Sequence, residues 1–309
     1  MKKDFKNYDD KELILYLVLK VHGIGEVTAK GIPAYIKNFQ DIFLSNHMLE
    51  NFKNNKGKSV LTAKQISDFD KIVKEYFPKK ITDIHKAWVS VLIRDFVKNS
   101  IREIESTDLE NLLINPFLIK AFGFNNHVEV ITFYLYQKVT RSIVTSWGFA
   151  LEGLILSIDG EKSNLEGFDI LIHRNSKEYH FQIKSSPNTM SIEQVRQLNV
   201  HIQKIKNTTK QIPMLGMTYG TREQVNSQIQ STLLNYPEST MIGKEFWDFI
   251  ADEEGYCLSL LDWIGEIMKL EPANFSSALE SKKKSIIKEW EKTYGKGVES
   301  IDRILEKYL

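Results

Sequence analysis

Three side chains that could act together on one ligand lie close in the chain: Asp169, Gln182 and Lys184. A carboxylate and an amide oxygen are hard oxygen ligands of the kind that Mg²⁺ binds in proteins. An ammonium group can take part in proton transfer or stabilise negative charge at the same place. These three residues are the candidate centre, provided that the fold brings them together.

The local pattern predicts a β-hairpin around these residues. Phe168–His173 is rich in branched and aromatic residues, and Tyr179–Lys184 alternates with the period of a strand. The polar segment Arg174–Lys177 separates the two strands. Gln182 and Lys184 are two residues apart and therefore face the same side of their strand, and the aspartate on the neighbouring strand can face that side too. The sequence thus predicts that an acid, an amide and an ammonium group converge at one edge of a sheet.

Composition indicates a soluble globular protein. The 309 residues are 42% hydrophobic and 26% charged with a net charge of +1, which neither requires nor excludes a nucleic-acid partner. The single cysteine, Cys257, excludes an internal disulfide and a cysteine-rich zinc cage. His173, His180 and His201 lack the spacing of zinc ligands, so we expect them to pack or to form hydrogen bonds. The first twelve residues lack the apolar stretch of a signal peptide, which favours a cytoplasmic protein.

Helical and strand patterns surround the hairpin in an order that predicts an α/β (α+β) core, with a mixed central sheet flanked by helices. A long helix is predicted over Val128–Leu156, with Glu152 in its C-terminal half. The helix dipole opposes an anion near that end, so Glu152 would need a cation or a metal nearby. The other predicted elements of the core are a helix over 191–206, strands over 212–219 and 240–242, and a helix over 244–269.

Residues 1–110 are predicted to form a helical region. Within it, the segment Gly23-Ile24-Gly25 separates two helical stretches and resembles the turn of a helix-hairpin-helix element. In that family the turn presents backbone N–H groups to a DNA phosphate, since glycines allow close approach and the helix dipole favours an anion. The resemblance implies DNA contacts by Gly23, Gly25 and Lys30. The alternative is that the glycines only form a tight corner.

The spacing of Asp169 and Gln182-x-Lys184 resembles the catalytic motif of the PD-(D/E)xK nucleases, in the variant with glutamine at the second acidic position. Four segments around the motif are similar to type II restriction endonucleases of the TdeIII-like subgroup. They are Ser146–Glu152, Gly167–Asp169, Ile183–Thr189 and Gly243–Trp247. The resemblance covers roughly residues 110–270 and implies a restriction-endonuclease-like core at 111–270. Outside it, apolar residues at helical spacing predict a helical domain at 1–110 and a C-terminal helical extension at 271–309.

The resemblance also implies Mg²⁺ as a cofactor, because a divalent cation assists phosphodiester hydrolysis in that family. It implies that Asp169 and the carbonyl oxygen of Gln182 are metal ligands. Lys184 would orient the attacking water or stabilise charge on the phosphate. Because Gln182 is neutral, the set lacks one carboxylate of the usual pattern, and Glu152 is the first choice to replace it, with Glu193 the second. One metal and two metals are both compatible with this set.

The segment that follows the motif is locally basic. From Lys184 to Arg222 it carries six lysines and arginines against one glutamate, which favours contact with DNA phosphates. Either arginine at 196 or 222 could instead read a guanine edge, and each could also be an ordinary surface residue. The predicted DNA-contacting residues of this region are Ser185, Ser186, Asn188, Gln194, Arg196, Asn199 and Arg222.

Taken together, these patterns predict a sequence-specific type II restriction endonuclease that cuts double-stranded DNA with Mg²⁺. The resemblance implies a short palindromic GC-rich site of the GGNCC type and a cognate DNA methyltransferase in the same system. A palindromic site cut on both strands favours a homodimer, since both have two-fold symmetry. Two alternatives remain: a repair or junction nuclease that reads DNA shape, and a DNA-binding protein with a catalytically silent core.

Overall fold

The computed structural model of the chain describes residues 8–36, 38–43, 49–54, 56–208, 210–269 and 274–308. Backbone contacts divide the chain into two compact units. Unit 1 comprises Met1–Ile93 and Ala150–Leu270, and unit 2 comprises Arg94–Phe149 and Glu271–Leu309. The predicted limits after residues 110 and 270 follow sequence patterns rather than contacts, so the three-domain division stays a prediction. Within the described ranges, no helix is both long enough and apolar enough to span a bilayer.

Unit 1 contains a five-stranded mixed sheet with the strand order β1-β2-β3-β4-β5. The first two pairings are antiparallel and the last two are parallel. The mixed sheet and its flanking helices confirm the predicted α/β fold class. The strands are β1 (Glu161–Lys162), β2 (Ile170–Arg174), β3 (Lys177–Lys184), β4 (Ile212–Met217) and β5 (Thr240–Ile242).

Helices make up most of the remaining described structure. In chain order they are α1 (Asp10–Leu19), α2 (Glu26–Gly31), α3 (Ala63–Tyr76), α4 (Ile84–Glu105), α5 (Pro116–Phe122), α6 (His127–Ile158), α7 (Ile192–Thr208), α8 (Ser227–Thr232), α9 (Lys244–Ala251), α10 (Tyr256–Lys269), α11 (Phe275–Tyr294) and α12 (Gly297–Tyr308). The long helix predicted over 128–156 and the helix predicted over 191–206 are confirmed as α6 and α7.

The predicted hairpin is present as β2 and β3, joined by the two residues Asn175 and Ser176. Both have positive φ values, 51° and 60°, which is the conformation that matches a two-residue turn to the twist of its strands. The register pairs Ile170 with Phe181 and Arg174 with Lys177. This register fixes which side chains of the two strands lie side by side.

The two faces of the sheet are covered by different helices. On one face, Leu215 and Met217 of β4 belong to a buried cluster with apolar side chains of α7. On the other face, the ring of Phe181 packs against Phe246 of α9, with ring centroids 5.7 Å apart. Gln182 of β3 is paired with Leu215, and paired residues face the same side of a sheet. The candidate residues of β3 therefore belong to the α7 face.

The prediction of one helix over 244–269 is wrong. The structure has two helices there, α9 and α10, separated by residues 252–255. Asp252 adopts a left-handed conformation (φ 55°) as the C-cap of α9, and Gly255 has a φ of 82°. Such residues end a helix. The apolar pattern did not show the break because both helices bury a face, with Ile250 before it and Leu260 after it.

The N-terminal helices of unit 1 form a core of their own. Leu13, Ile14, Leu17 and Val18 of α1 are fully buried in a cluster that also contains residues of α2 and α3. The helix α3 begins with a reciprocal capping box between Thr62 and Gln65, an arrangement that satisfies two backbone donors of the first turn. This part of the chain confirms the predicted N-terminal helices.

Unit 2 is helical, with a core built from both of its chain segments. Trp290 of α11 is fully buried and donates a hydrogen bond from its indole nitrogen to the Ser300 hydroxyl at 3.0 Å. Ile131 and Leu135 of α6 and Ile304 of α12 are buried in the same cluster. The amphipathic pattern of the C-terminal tail therefore corresponds to packed helices, as the sequence indicates.

Candidate active site

Asp169 and Gln182 are in direct contact. Asp169 precedes β2, and its N–H donates a hydrogen bond to the Phe181 carbonyl at 2.8 Å. Its Oδ2 accepts two hydrogen bonds, one from Gln182 Nε2 at 2.8 Å and one from the Ile183 backbone N–H at 2.7 Å. These bonds fix the carboxylate against the C-terminal end of β3. The structure therefore brings together the two residues that the spacing singled out as metal ligands.

Lys184 lies on the same face as Gln182 and ends β3, where it is paired with Met217 of β4. The side chain is half-buried. Its ammonium group makes no hydrogen bond or ion pair with any residue that the structure describes. A lysine whose charge has no internal partner, two residues from Gln182, can donate to an oxyanion that comes from outside the protein.

A hydrogen-bonded loop leads into Asp169. The Ser163 N–H donates to the Asp169 carbonyl at 3.0 Å, and the Ser163 hydroxyl lies 2.8 Å from His180 Nδ1. His180 is fully buried, and burial lowers its pKa below the ordinary histidine value. In the same loop Gly167 has a φ of 85°, and a Cβ there would lie 2.5 Å from the ring of His201. His180 thus hydrogen-bonds and His201 packs, as expected, and both contact the loop that leads into Asp169.

Glu152 and Glu193 make contacts elsewhere. Glu152 Oε1 lies 3.6 Å from Lys162 Nζ, and Lys162 is paired with Ile170, the residue after Asp169. Glu193 is exposed and lies 3.7 Å from Arg196. The described residues contain no group of three or more His, Cys, Asp or Glu side chains that could hold a metal. The role of either glutamate as a ligand stays a prediction.

The donor atoms at Asp169 and Gln182 fit a magnesium ion. Both internal hydrogen bonds to the carboxylate fall on Oδ2, so Asp169 Oδ1 accepts none from the described residues. Gln182 uses its Nε2 for Asp169, which leaves the Oε1 carbonyl oxygen as a second hard donor. Mg²⁺ is usually held by one or two carboxylates and keeps several waters. One carboxylate and one amide oxygen satisfy that requirement with little negative charge.

Gly23 and Gly25 lie in the turn between α1 and α2, the segment that we call the helical hairpin. Gly23 has a φ of 81°, and its carbonyl accepts a hydrogen bond from Gln65 Nε2 at 3.0 Å. Gly25 is the N-cap of α2, and nothing lies within 4 Å of the position that a Cβ would take there. Lys30 is exposed. The turn is therefore open to an approaching group, while its contact with DNA stays a prediction.

The predicted DNA-contacting residues near Lys184 fall into two groups, of which the first is exposed or half-buried. Asn188 is exposed in the loop after β3, and the side chain of Arg196 in α7 is 64% exposed. Ser186 and Gln194 support the local backbone, because their side chains accept hydrogen bonds from N–H groups of the same loop. Ser185 is half-buried and accepts through its carbonyl from the Thr218 hydroxyl at 3.0 Å.

The second group is bonded within the fold. Asn199 donates to the Thr232 carbonyl at 2.7 Å and accepts from the Leu234 N–H at 2.9 Å. Arg222 donates to Glu245 Oε2 at 2.7 Å and to the Thr240 hydroxyl at 3.2 Å. The polar atoms of both side chains already hold neighbouring segments together. The sequence did not predict the contact between Ser163 and His180, because a serine in a loop carries no periodic pattern.

Comparison with known proteins relates the region that contains the sheet to one protein family. The family model of the type II restriction endonuclease EcoO109I matches residues 82–271, which is more than half of the chain. The matched region contains the whole five-stranded sheet and all three candidate residues. No curated protein matches the chain.

Proposed function

This chain belongs to the family of the type II restriction endonuclease EcoO109I, and from that we propose that it is a Mg²⁺-dependent, site-specific deoxyribonuclease with its centre at Asp169, Gln182 and Lys184. The observation that carries the proposal is the contact of Gln182 with Asp169 across β2 and β3, with an internally unpaired lysine on the same face. The family match covers residues 82–271, which include these three residues, and assigns no role to any of them. The roles below are therefore part of the proposal.

Each residue of the centre has a separate task. Asp169 Oδ1 and Gln182 Oε1 would hold the cation, and the hydrogen bonds to Oδ2 keep the carboxylate in one orientation. When bound there, Mg²⁺ supplies positive charge against the scissile phosphate and lowers the pKa of the attacking water. Lys184 donates hydrogen bonds to the phosphate oxygens or to that water, because its ammonium has no internal partner among the described residues.

Digestion of phage DNA tests the activity. The wild-type protein with Mg²⁺ is expected to give discrete bands, and Asp169→Ala is expected to cut at least about a hundredfold more slowly. The matched control is Asp262→Ala, which removes an exposed carboxylate of α10. Unfolding temperatures of both variants test whether the fold is intact, because Asp169→Ala also removes the acceptor of two internal hydrogen bonds. A smear or no cutting by the wild type, or equal cutting by Asp169→Ala, would contradict the proposal.

The same digests test the metal. Removal of divalent cations with EDTA is expected to abolish cutting, and added Mg²⁺ to restore it. Because the proposed set offers a single carboxylate, we expect a weak site that needs millimolar rather than micromolar Mg²⁺. Cutting that persists in EDTA would exclude the proposed role of the cation while leaving the nuclease activity in place.

We further propose a palindromic GC-rich recognition site of the GGNCC type, read by a homodimer of this chain. Two-fold symmetry of the site and of the dimer would then coincide. Sequencing the ends of digested phage DNA gives the site, and sedimentation of the protein with a duplex carrying it gives the stoichiometry. A cognate DNA methyltransferase in the same system would make the host genomic DNA resistant. Digestion of that DNA at the same site would argue against such a partner.

The helical hairpin is proposed as a second DNA contact, made by backbone N–H groups at Gly25 and by Lys30. Gly25→Ala adds a methyl group in open space at a residue with an ordinary φ of −78°. The fold should therefore be unchanged, while a phosphate could no longer approach closely, and DNA affinity should fall severalfold. Gly265→Ala in α10, where a Cβ also meets nothing within 4 Å, is the control. If the two variants bind DNA with equal affinity, the glycines only form a tight corner and do not contact DNA.

One observation favours a second candidate function, a DNA-binding protein with a silent core. Gln182 leaves the pair with a single negative charge, which is the minimum for a magnesium site. Binding to phage DNA fragments without cutting in Mg²⁺ or Mn²⁺ would select this candidate. Cutting restricted to branched or mismatched duplexes would instead select a structure-specific nuclease.

A further inference from the structure

The loops next to Lys184 meet at one edge of the sheet. Strands β3, β4 and β5 are parallel, so their carboxyl ends lie at the same edge. This edge includes Lys184 at the end of β3 and Met217 at the end of β4, which are register partners. The turn that follows β4, residues 218–221, therefore begins next to Lys184.

The first residue of that turn is locked in place. The Thr218 N–H donates to the Lys184 carbonyl at 3.1 Å, and its hydroxyl donates to the Ser185 carbonyl at 3.0 Å. Its own carbonyl accepts from the indole nitrogen of Trp247 at 2.8 Å. Thr218 is 6% exposed. All of its polar groups are thus committed to the strand end that carries the candidate lysine and to α9.

The far side of the turn is equally constrained. Gly220 has a φ of 105°, and a Cβ there would lie 2.4 Å from Pro187 Cγ. Gly243 approaches from the end of β5, so closely that its own Cβ would lie 2.8 Å from the Gly220 carbonyl oxygen. Only glycine fits at both positions. Two neighbouring loops therefore hold the backbone on this side of the turn.

Between these fixed residues stands Tyr219, whose side chain is 58% exposed. Its hydroxyl makes no hydrogen bond and its ring makes no aromatic contact with any described residue. A single exposed aromatic residue is common on protein surfaces and means little alone. Here, however, the backbone is fixed on both sides of Tyr219, and the preceding residue, Thr218, is hydrogen-bonded to Lys184. Such rigid presentation of an exposed ring reduces the entropy lost on binding.

We propose that Tyr219 is a DNA-contacting residue. Its ring would lie against the apolar part of a nucleotide, a base or a sugar, next to the DNA strand whose phosphate Lys184 contacts. The inference rests on the proposed nuclease function and adds to it a substrate contact that the basic segment does not supply. Lysine and arginine side chains pair with phosphates, and such contacts weaken with salt. An aromatic ring instead stacks on or wedges against the bases and carries no charge.

The test uses a synthetic duplex that carries the cut sequence found in the phage digest. Binding is measured without Mg²⁺ over a series of salt concentrations, and cutting is measured with Mg²⁺. The variants are Tyr219→Ala, which removes the ring, and Tyr219→Phe, which removes only the hydroxyl. Leu258→Ala, which shortens a 61% exposed apolar side chain of α10, is the matched control. Neither Tyr219 variant should unfold at a much lower temperature, since the side chain is more than half exposed and makes no hydrogen bond with any described residue.

Tyr219→Ala is expected to weaken binding about 5- to 150-fold, the range of one lost base-stacking contact. The slope of log affinity against log salt should stay at the wild-type value, because no phosphate contact is lost. Tyr219→Phe and Leu258→Ala should bind and cut within about twofold of wild type. Unchanged binding by Tyr219→Ala would overturn the inference, as would equal losses in Tyr219→Ala and Tyr219→Phe, which would assign the contact to the hydroxyl. A wild-type protein that neither binds nor cuts DNA would overturn the proposed function itself.

Discussion

Arg174 and Lys184 lie at opposite ends of the β2–β3 hairpin, and their environments are opposite. At the turn end, the side chain of Arg174 is 13% exposed, with Nη1 donating to Asp159 at 2.5 Å and Nη2 donating to the Ile250 carbonyl at 2.6 Å. At the other end, the ammonium of Lys184 has no partner among the described residues. The same two strands therefore present one cation that holds the protein together and one that is available to a ligand.

The presence or absence of an internal partner distinguishes a cation that stabilises the fold from one that can act on a ligand. A buried cation is stable only when it is paired, because desolvation is costly. A cation that acts on a substrate gains from having no internal competitor. We therefore expect substitutions at the two ends to affect different quantities, stability at Arg174 and activity at Lys184. The predictions that follow test this separation, beginning with the largest expected effect.

Lys184→Met should slow cleavage strongly without affecting stability. Removal of one preorganised donor to a developing oxyanion typically slows an enzyme about 10²- to 10³-fold, and we expect a loss of that size in the cleavage rate. The unfolding temperature should not change, because no internal bond is lost. Lys177→Met, at the exposed start of the same strand, is the control and should cut at the wild-type rate. A Lys184→Met protein that cuts normally would remove the lysine from the centre.

Arg174→Met should have the opposite result. The substitution leaves the Asp159 carboxylate and the Ile250 carbonyl without their donor. Loss of one partner of a largely buried pair costs about 3–5 kcal/mol. Because Asp159 is half exposed and can be rehydrated, we expect about 2–3 kcal/mol in urea unfolding. Below the unfolding transition, the cleavage rate should stay within a few-fold of wild type. A cleavage defect in a stable Arg174→Met protein would break the separation between the two ends.

Gln182→Glu sharpens the comparison by changing the charge at the functional end. The variant loses the hydrogen bond from Nε2 to Asp169 and places two carboxylates side by side, which repel each other in the absence of a cation. Without Mg²⁺ we expect the free energy of unfolding to fall by about 1–2 kcal/mol. Added Mg²⁺ should raise the unfolding temperature more in this variant than in wild type, since binding to the folded state stabilises it.

Gln137→Glu in α6 introduces the same charge at an exposed residue and is the control for Gln182→Glu. It should show no greater response to Mg²⁺ than wild type. If Gln182→Glu also shows no greater response, Asp169 and residue 182 do not share an ion.

The sequence predicted the hairpin and the fold class because both follow from local pattern. Alternation over Tyr179–Lys184 and the polar turn are readable within a few residues, and the resulting register places Gln182 beside Asp169. The helix break at 252–255 was missed because it depends on left-handed backbone at Asp252, which an apolar pattern does not report.

The contacts of individual charges could not be predicted, since their partners lie far away in the chain. Glu152 is paired with Lys162 of β1, a strand of only two residues that shows no alternation. Arg222 donates hydrogen bonds to Thr240, the first residue of β5, and to Glu245 of α9. The basic segment after Lys184 therefore contains exposed cations and also cations that are bonded within the fold, and only the structure distinguishes the two.

The smallest expected effect comes from applying the same distinction to the two arginines of the basic segment. Arg196 is 64% exposed, with only an i,i+3 glutamate at 3.7 Å, whereas Arg222 resembles Arg174 in its internal bonds. Arg196→Gln should lower DNA affinity a few-fold and reduce the slope of log affinity against log salt by about 1. Arg222→Gln should leave that slope unchanged and cost about 1 kcal/mol of stability. If Arg222→Gln instead reduces the slope while Arg196→Gln does not, internal pairing does not decide which cations of this protein reach DNA.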